Sequence, residues 1–382
     1  MDSLVAAGAA PGAVLGVSID GRHLYYGTGR LGRGAASRPD SATIYDLASL
    51  TKVISLTSLM MMTVDEGRVE LDHPVALDVP EFVAGRDSTI RRAVTIRQLL
   101  THSSGLPAWR PLHLETRTRA EALALVDTTP LASSPGTGFV YSDLGAMVLT
   151  QVVERALGAR IDTLFDMRVA QPLNLRDTRY LPPDSWRARI APTENDPWRG
   201  RMLRGEVHDE NAARLGGVSG HAGLFSSARD LVRFADWLLA GLADTSDEAD
   251  KTDEADKADE ADRAHRRSSM PASSARSDLP ALSTGIVQEF TRRQDLPPGS
   301  SRALGWDTPS ERSSGGSLLS AGSFGHTGFT GTSIWLDPAR RLAIVLLSNR
   351  VHPTRDNPRW APVRALVADR VVRAVAPQTI TP

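Results

Sequence analysis

Residues 13–19 (AVLGVSI) alternate small and β-branched apolar positions and predict a strand. Asp20-Gly21 follows as a type I′ turn signal, and 22–27 (RHLYYG) return as a second strand. From Thr51 to Glu66 the period changes. Val53, Leu56, Met60 and Val64 recur at spacings of three and four, which predicts a helix, with Gly67 placed to cap its C-terminus. Further helical patterns cover 142–157 and 228–240, the latter opening with a capping box from Ser227 to Asp230. Near the end, 331–336 (GTSIWL) and 341–348 (RLAIVLLS) are strands joined by Asp337-Pro338-Ala339-Arg340. The unbroken apolar run in the second predicts a central strand covered on both faces. Residues 360–375 predict a closing helix. Strands at both ends and helical material between them predict one α/β unit assembled from 1–70 and 215–382, with a mainly helical part, 71–214, inserted.

One stretch breaks the pattern. Residues 247–264 repeat a six-residue unit, DEADKT-DEADKA-DEADRA, that has no apolar face. With the Ser/Arg/Pro stretch that follows, 241–277 reads as a disordered acidic low-complexity insertion. Such a loop is tolerated because closure entropy grows slowly with length.

The rest of the composition is that of an ordinary globular protein. Of 382 residues, 41% are hydrophobic and 23% charged, enough to bury a sizeable core. The formal net charge is −1, and nothing in it points to nucleic acid. There is no cysteine, so disulfides and thiolate metal sites are excluded. No apolar run reaches the roughly 18 residues of a membrane span. The N-terminal MDSLVAAGAAPGAVLGVSIDG has no positive segment ahead of its apolar part and does not read as a signal peptide.

Lysine usage points to chemistry. The three lysines are Lys52, Lys251 and Lys257, and the last two lie in the acidic repeat. The globular part therefore has one amine in a background of arginine. Lysine, unlike arginine, can lose its proton when buried. It lies in Ser49-Leu50-Thr51-Lys52, an S-x-x-K element at a helix entrance, where positions i and i+3 share a face. A hydroxyl and an amine placed so can form an activated nucleophile. A second element is Tyr141-Ser142-Asp143, after a Gly/Pro loop and before a helix, where a phenol can relay protons. A third, His326-Thr327-Gly328, precedes a strand in GHTGFTG, where glycines permit close backbone approach and free N–H groups can face an oxyanion. Each element alone also reads blandly, as a chance motif, a half-buried aromatic and a hairpin turn.

Taken in order, S-x-x-K, Y-S-D and H-T-G resemble the three motifs of the serine β-lactamase and penicillin-binding protein superfamily, in its class C-related branch, which also holds D,D-peptidases and esterases. Asp46–Lys52, Leu99–Leu106 and Gly216–Ser226 add to the likeness. It runs from about residue 11 to 375, leaving out the insertion. The resemblance implies an antiparallel sheet flanked by helices with a helical insertion, and a serine hydrolase acting through an acyl-enzyme on esters, D-Ala-type peptides or β-lactams. It implies that Ser49 is acylated, that Lys52 activates it, and that Tyr141 moves protons. Asp143 and His326 would meet substrate, with Thr327, Gly328 and Phe329. The N–H groups of Ser49 and Phe329 would form the oxyanion hole. No cofactor or metal is implied, and the partner is a small-molecule or peptide substrate. The family is usually periplasmic or extracellular.

Two departures matter. Asp143 stands where many relatives have Asn. It adds a charge that raises the Lys52 pKa and works against a neutral lysine base, unless Lys52 acts as a charged stabiliser and Tyr141 is the base. His326 stands where β-lactamases carry Lys, removing a permanent charge that a protonated histidine could still supply. The alternative to an enzyme is a catalytically silent relative that binds cell-wall fragments. His208, Asp209 and His221 are too sparse for a convincing metal site. His102 reads as structural and Met60–Met62 as core packing, while Trp109 and Trp198 either line a groove or serve as ordinary aromatics.

Overall fold

The computed structural model describes residues 1–32, 34, 36–84, 87–243 and 282–375. Most of the predicted acidic insertion lies outside the described residues. Its first three positions do not, and they continue the helix Ala228–Ala243.

Among the described residues, ten strands form three sheets. The largest is antiparallel throughout, in the order β2-β1-β10-β9-β8. Its strands are β1 (Gly12–Ile19), β2 (Arg22–Gly29), β8 (Phe324–Thr327), β9 (Ser333–Asp337) and β10 (Leu342–Ser348). A second joins β3 (Ile44–Asp46), β7 (Leu224–Ser227) and β4 (Arg179–Tyr180); β5 (Asn195–Asp196) and β6 (Arg201–Met202) form a small ribbon. The turn between β1 and β2 has φ of 49° at Asp20 and 74° at Gly21, which is the type I′ conformation its sequence demands.

All of β10 is buried, and its side chains divide by parity. Ala343, Val345 and Leu347 enter the larger core, while Leu342, Ile344 and Leu346 pack with Trp360, Val363 and Val367 of the C-terminal region. Helix Ala228–Ala243 covers the first face and helix Val363–Val375 the second. Each fully buried Val, Leu or Ile contributes roughly 2 kcal/mol, so a strand covered on both sides is a major source of stability. The larger core continues from the sheet into the helical middle of the chain, through Leu99, Val148 and Val152.

The helix expected from Thr51 is present with a local π distortion, and one local expectation is corrected. The segment after Ser49 is π-helical over Lys52–Thr57 and becomes an α-helix only over Ser58–Asp65. Single π turns are frequent at functional sites. The capping box at Ser227 does not form. Ser227 donates to Asp177 at 3.3 Å, and the Asp230 carboxylate accepts from the Asp177 N–H and the Thr178 hydroxyl. Buried carboxylates there answer a tertiary demand, holding the Asp177 loop instead of their own helix end.

Candidate active site

Ser49 is presented by a sharp turn. Ala48, just before it, has φ of 48°, a left-handed conformation that costs a non-glycine residue about 1–3 kcal/mol. The surroundings hold it there. The Asp46 carboxylate accepts from the Ala48 N–H at 2.8 Å and from the His208 N–H at 2.6 Å. Thr330 and Thr332 donate to the carbonyls of Asp46 and Leu47 at 2.7 and 3.0 Å. These two threonines follow β8, so the nucleophile turn is clamped to the opposite wall of the cleft. Sequence reasoning passed over both threonines, and over Asp46 as a clamp, because their partners are remote in the chain.

Lys52 is 3% exposed. Its Nζ donates to Ser49 Oγ at 3.0 Å and to the His221 carbonyl at 3.1 Å, and forms an ion pair with Asp143 at 2.7 Å. Asp143 opens the helix Asp143–Leu157, which Ser142 caps through its hydroxyl. Burial by itself would lower the Lys52 pKa. The Asp143 carboxylate, then the Tyr141 phenol, outweigh it and hold Lys52 above the ordinary lysine value. A neutral Lys52 is therefore disfavoured, as the Asp143 departure led one to expect.

Tyr141 lies with its ring 5.0 Å from Lys52 Nζ and 5.8 Å, centroid to centroid, from His326. Its hydroxyl is buried and makes no hydrogen bond among the described residues. His102, buried behind it at 4.5 Å between ring centroids, accepts the Ser142 N–H at Nδ1 and so positions the loop.

His326 is in β8 and 4% exposed. Nδ1 donates to the Thr327 carbonyl at 2.8 Å; a carbonyl only accepts, so Nε2 keeps its lone pair. Nε2 is buried without a partner. Burial, reinforced by the charges of Arg302 and Lys52, holds the ring well below the usual histidine range. Burial thus disfavours the protonated ring that would supply a lysine's charge at this position.

The turn after β8 brings Gly328 and Phe329 to the cleft. A Cβ at Gly328 would lie 2.1 Å from Thr332 Oγ1 and 2.3 Å from the Leu47 carbonyl, so only glycine fits. Arg364, half-buried, donates to the carbonyls of Gly328 at 2.6 Å and Thr332 at 3.1 Å. Burial, then the Arg350 charge, pushes its pKa down to about 10. In a trans peptide the carbonyl and the following N–H point opposite ways. Arg364 thus turns the Phe329 N–H away from itself. Neither that N–H nor that of Ser49 donates a hydrogen bond among the described residues.

Ser49, Tyr141, Asp143, His326, Thr327, Gly328 and Phe329 all line one cleft of about 840 Å³, with Lys52 beneath Ser49. Trp109 lines it too and is exposed, while Trp198 packs against His113 at 5.0 Å outside that lining. His208 pairs with Glu194 at 2.8 Å and His221 with Asp209 at 2.9 Å, so the two histidines serve separate carboxylates.

An antiparallel sheet between helices, with a serine, lysine and tyrosine gathered at one cleft, is the architecture of the penicillin-recognising serine hydrolases. The chain belongs to the Beta-lactamase family, whose model matches residues 1–369. A relative in Escherichia coli (strain K12), named "Putative D-alanyl-D-alanine carboxypeptidase", is 29% identical over 351 residues, covering 84% of this chain and 72% of its own. A class C beta-lactamase superposes with TM-score 0.69 at 16% identity, covering 96% of this chain and 93% of its own. EstCE1, a hydrolase with promiscuous acyltransferase activity, superposes with TM-score 0.68 at 19% identity, covering 95% and 96%. Among the described residues no helix is long and apolar enough to cross a membrane.

Proposed function

We propose that the protein is a serine hydrolase that forms an acyl-enzyme on Ser49 and acts on esters or D-Ala-type peptides. The observation that carries this is the 3.0 Å contact between Ser49 Oγ and a buried Lys52, inside a cleft that also holds Tyr141. Lys52, kept charged by Asp143, serves as an electrostatic stabiliser. Tyr141 takes the Ser49 proton and passes it to the leaving group. The Lys52 and Arg302 cations lie against its ring, at 5.0 and 5.5 Å. Ser49 Oγ attacks the substrate carbonyl, and the N–H groups of Ser49 and Phe329 receive the oxyanion. Water then attacks the ester, with Tyr141 again accepting the proton, and frees Ser49.

Peptide or ester hydrolysis is favoured over efficient β-lactam hydrolysis. Burial disfavours a charged His326 where β-lactamases carry a permanent charge, and the curated relative is named a carboxypeptidase. The test is intact-mass spectrometry after mixing with p-nitrophenyl esters, D-Ala-D-Ala peptides and nitrocefin. A mass increase equal to the acyl group is expected on the wild type and not on Ser49→Ala. Equal labelling of both proteins, or turnover without any dependence on Ser49, would overturn the assignment.

A further inference from the structure

Three oxygens surround the Lys52 ammonium, and they are anchored by different means. Asp143 pairs with it at 2.7 Å and opens the long helix Asp143–Leu157. Ser49 Oγ receives it at 3.0 Å from the same stretch of chain. The third is the His221 carbonyl, at 3.1 Å, in the segment before β7. That segment is pinned on either side of His221. The Gly220 N–H donates to Thr150 Oγ1 at 3.0 Å, and the Leu224 N–H to Thr51 Oγ1 at 3.1 Å. Both bonds belong to other peptide units, so neither sets the direction in which the His221 carbonyl points.

The His221 side chain supplies that direction. Its ring is 1% exposed and is held at both nitrogens. Nε2 lies 2.9 Å from Asp209 Oδ1, and Nδ1 lies 2.7 Å from Ser219 Oγ. Burial raises the Asp209 pKa, but the His221 contacts and the Ala212 N–H outweigh it and hold the carboxylate below its usual range. An ionised carboxylate only accepts, so Nε2 carries a proton, and in the neutral ring Nδ1 receives the Ser219 hydroxyl. Asp209 is fixed in turn, because its Oδ1 accepts the Ala212 N–H at 2.7 Å at the start of helix Glu210–Arg214. Ser219 is fixed as well, since its carbonyl accepts the Tyr180 hydroxyl at 3.2 Å. A ring tied at two points to two anchored residues has one orientation, and so does the main chain that bears it. The order hydroxyl, imidazole, carboxylate is that of a catalytic triad. Ser219, however, is 1% exposed and outside the cleft lining, so it has no substrate to attack.

We infer that Asp209 and Ser219 are positioning residues for Lys52, acting through the His221 ring to aim the His221 carbonyl at the ammonium. The carbonyl and the Asp143 carboxylate together fix the ammonium, so that one of its three N–H bonds stays on Ser49 Oγ. The effect on turnover rests on the Ser49 reading; the placement of Lys52 does not.

Two measurements separate these. Lys52 is one of three lysines, and the signals of the other two are identified with Lys251→Arg and Lys257→Arg. Protein labelled with 13C at the lysine ε carbons is followed by NMR. A fixed Lys52 gives its two ε protons separate shifts, and a mobile one averages them. Separate shifts are expected in the wild type and in Asp209→Asn, which drops the charge and keeps an oxygen for the Nε2 proton. Averaged shifts are expected in Asp209→Ala. Ser219→Ala releases Nδ1 alone and narrows the separation, and it carries the same test from the other nitrogen if Asp209→Ala does not fold. Hydrolysis of p-nitrophenyl acetate is measured on the same proteins. Asp209→Ala is expected to lower kcat by about tenfold with KM within about twofold, Ser219→Ala to lower it by about threefold, and Asp209→Asn to recover most of the loss. Equal losses in Asp209→Asn and Asp209→Ala would show that charge alone acts and would overturn the inference. A rise in KM with kcat unchanged would do the same by placing Asp209 against substrate, as would ε protons that stay fully separate in both Asp209→Ala and Ser219→Ala. Averaged ε protons as expected, with turnover that survives Ser49→Ala, would count against the Ser49 reading and support the positioning role.

Discussion

The two walls of the cleft handle charge by opposite means. On the Ser49 wall, Lys52 is buried against a carboxylate 2.7 Å away, so its charge is settled by a local partner. On the β8 wall, Arg364 and Arg350 are held by carbonyl oxygens and Arg302 by aromatic faces. An ion pair fixes a protonation state, whereas carbonyl partners fix a backbone and leave the positive charge uncompensated. The first wall is therefore suited to chemistry at one hydroxyl, and the second to orienting N–H groups and attracting an anion.

The sharpest break on the first wall is Ser49→Ala, expected to lower kcat/KM by at least about a thousandfold with the fold retained, read by ester hydrolysis and circular dichroism. Next is Asp143→Asn. Asp143 holds the Lys52 pKa up, so the wild-type amine stays charged as pH rises past the ordinary lysine value. Removing the carboxylate takes away the larger of the two opposing influences, leaves burial opposed by Tyr141 alone, and lowers that pKa. The alkaline limb of kcat/KM should shift to lower pH by at least about one unit; an unmoved limb would show that Lys52 charge is irrelevant. On the second wall, Arg364→Ala frees the Gly328 carbonyl. Because one oxyanion donor is misaligned and not deleted, kcat should fall by about tenfold with KM nearly unchanged. A rise in KM alone would place Arg364 in substrate binding. The smallest effect is expected from Trp198→Ala. That ring lies outside the cleft lining, and kcat and KM should stay within about twofold of wild type, as for a surface substitution.

Much of the scaffold was legible from residues 13–27 and 331–348. Strand pairing there follows from alternation, a turn with two positive φ angles, and an apolar run, all written in consecutive residues. The same holds for the approach of Ser49 to Lys52, since three residues of helical chain put both on one face. The capping box at Ser227 misled because Asp177, 50 residues away, competes for the same groups. The π-helical start of the Ser49 helix has no sequence signal that we can name.

By itself the sequence determined the strand pairs at 13–27 and 331–348, the helices near 51–66, 142–157, 228–240 and 360–375, the Ser49–Lys52 pair, and the candidacy of Tyr141, Asp143 and the segment from His326 to Phe329. These depend on backbone periodicity and residue type, which act over a few positions. Tertiary structure alone decided that burial disfavours a charged His326, that Arg364 holds the Gly328 carbonyl, and that Arg302 meets Tyr141 across 161 positions of chain. Protonation and hydrogen-bond direction depend on burial and on charges a few ångströms away in space, and those neighbours are set by how the elements pack.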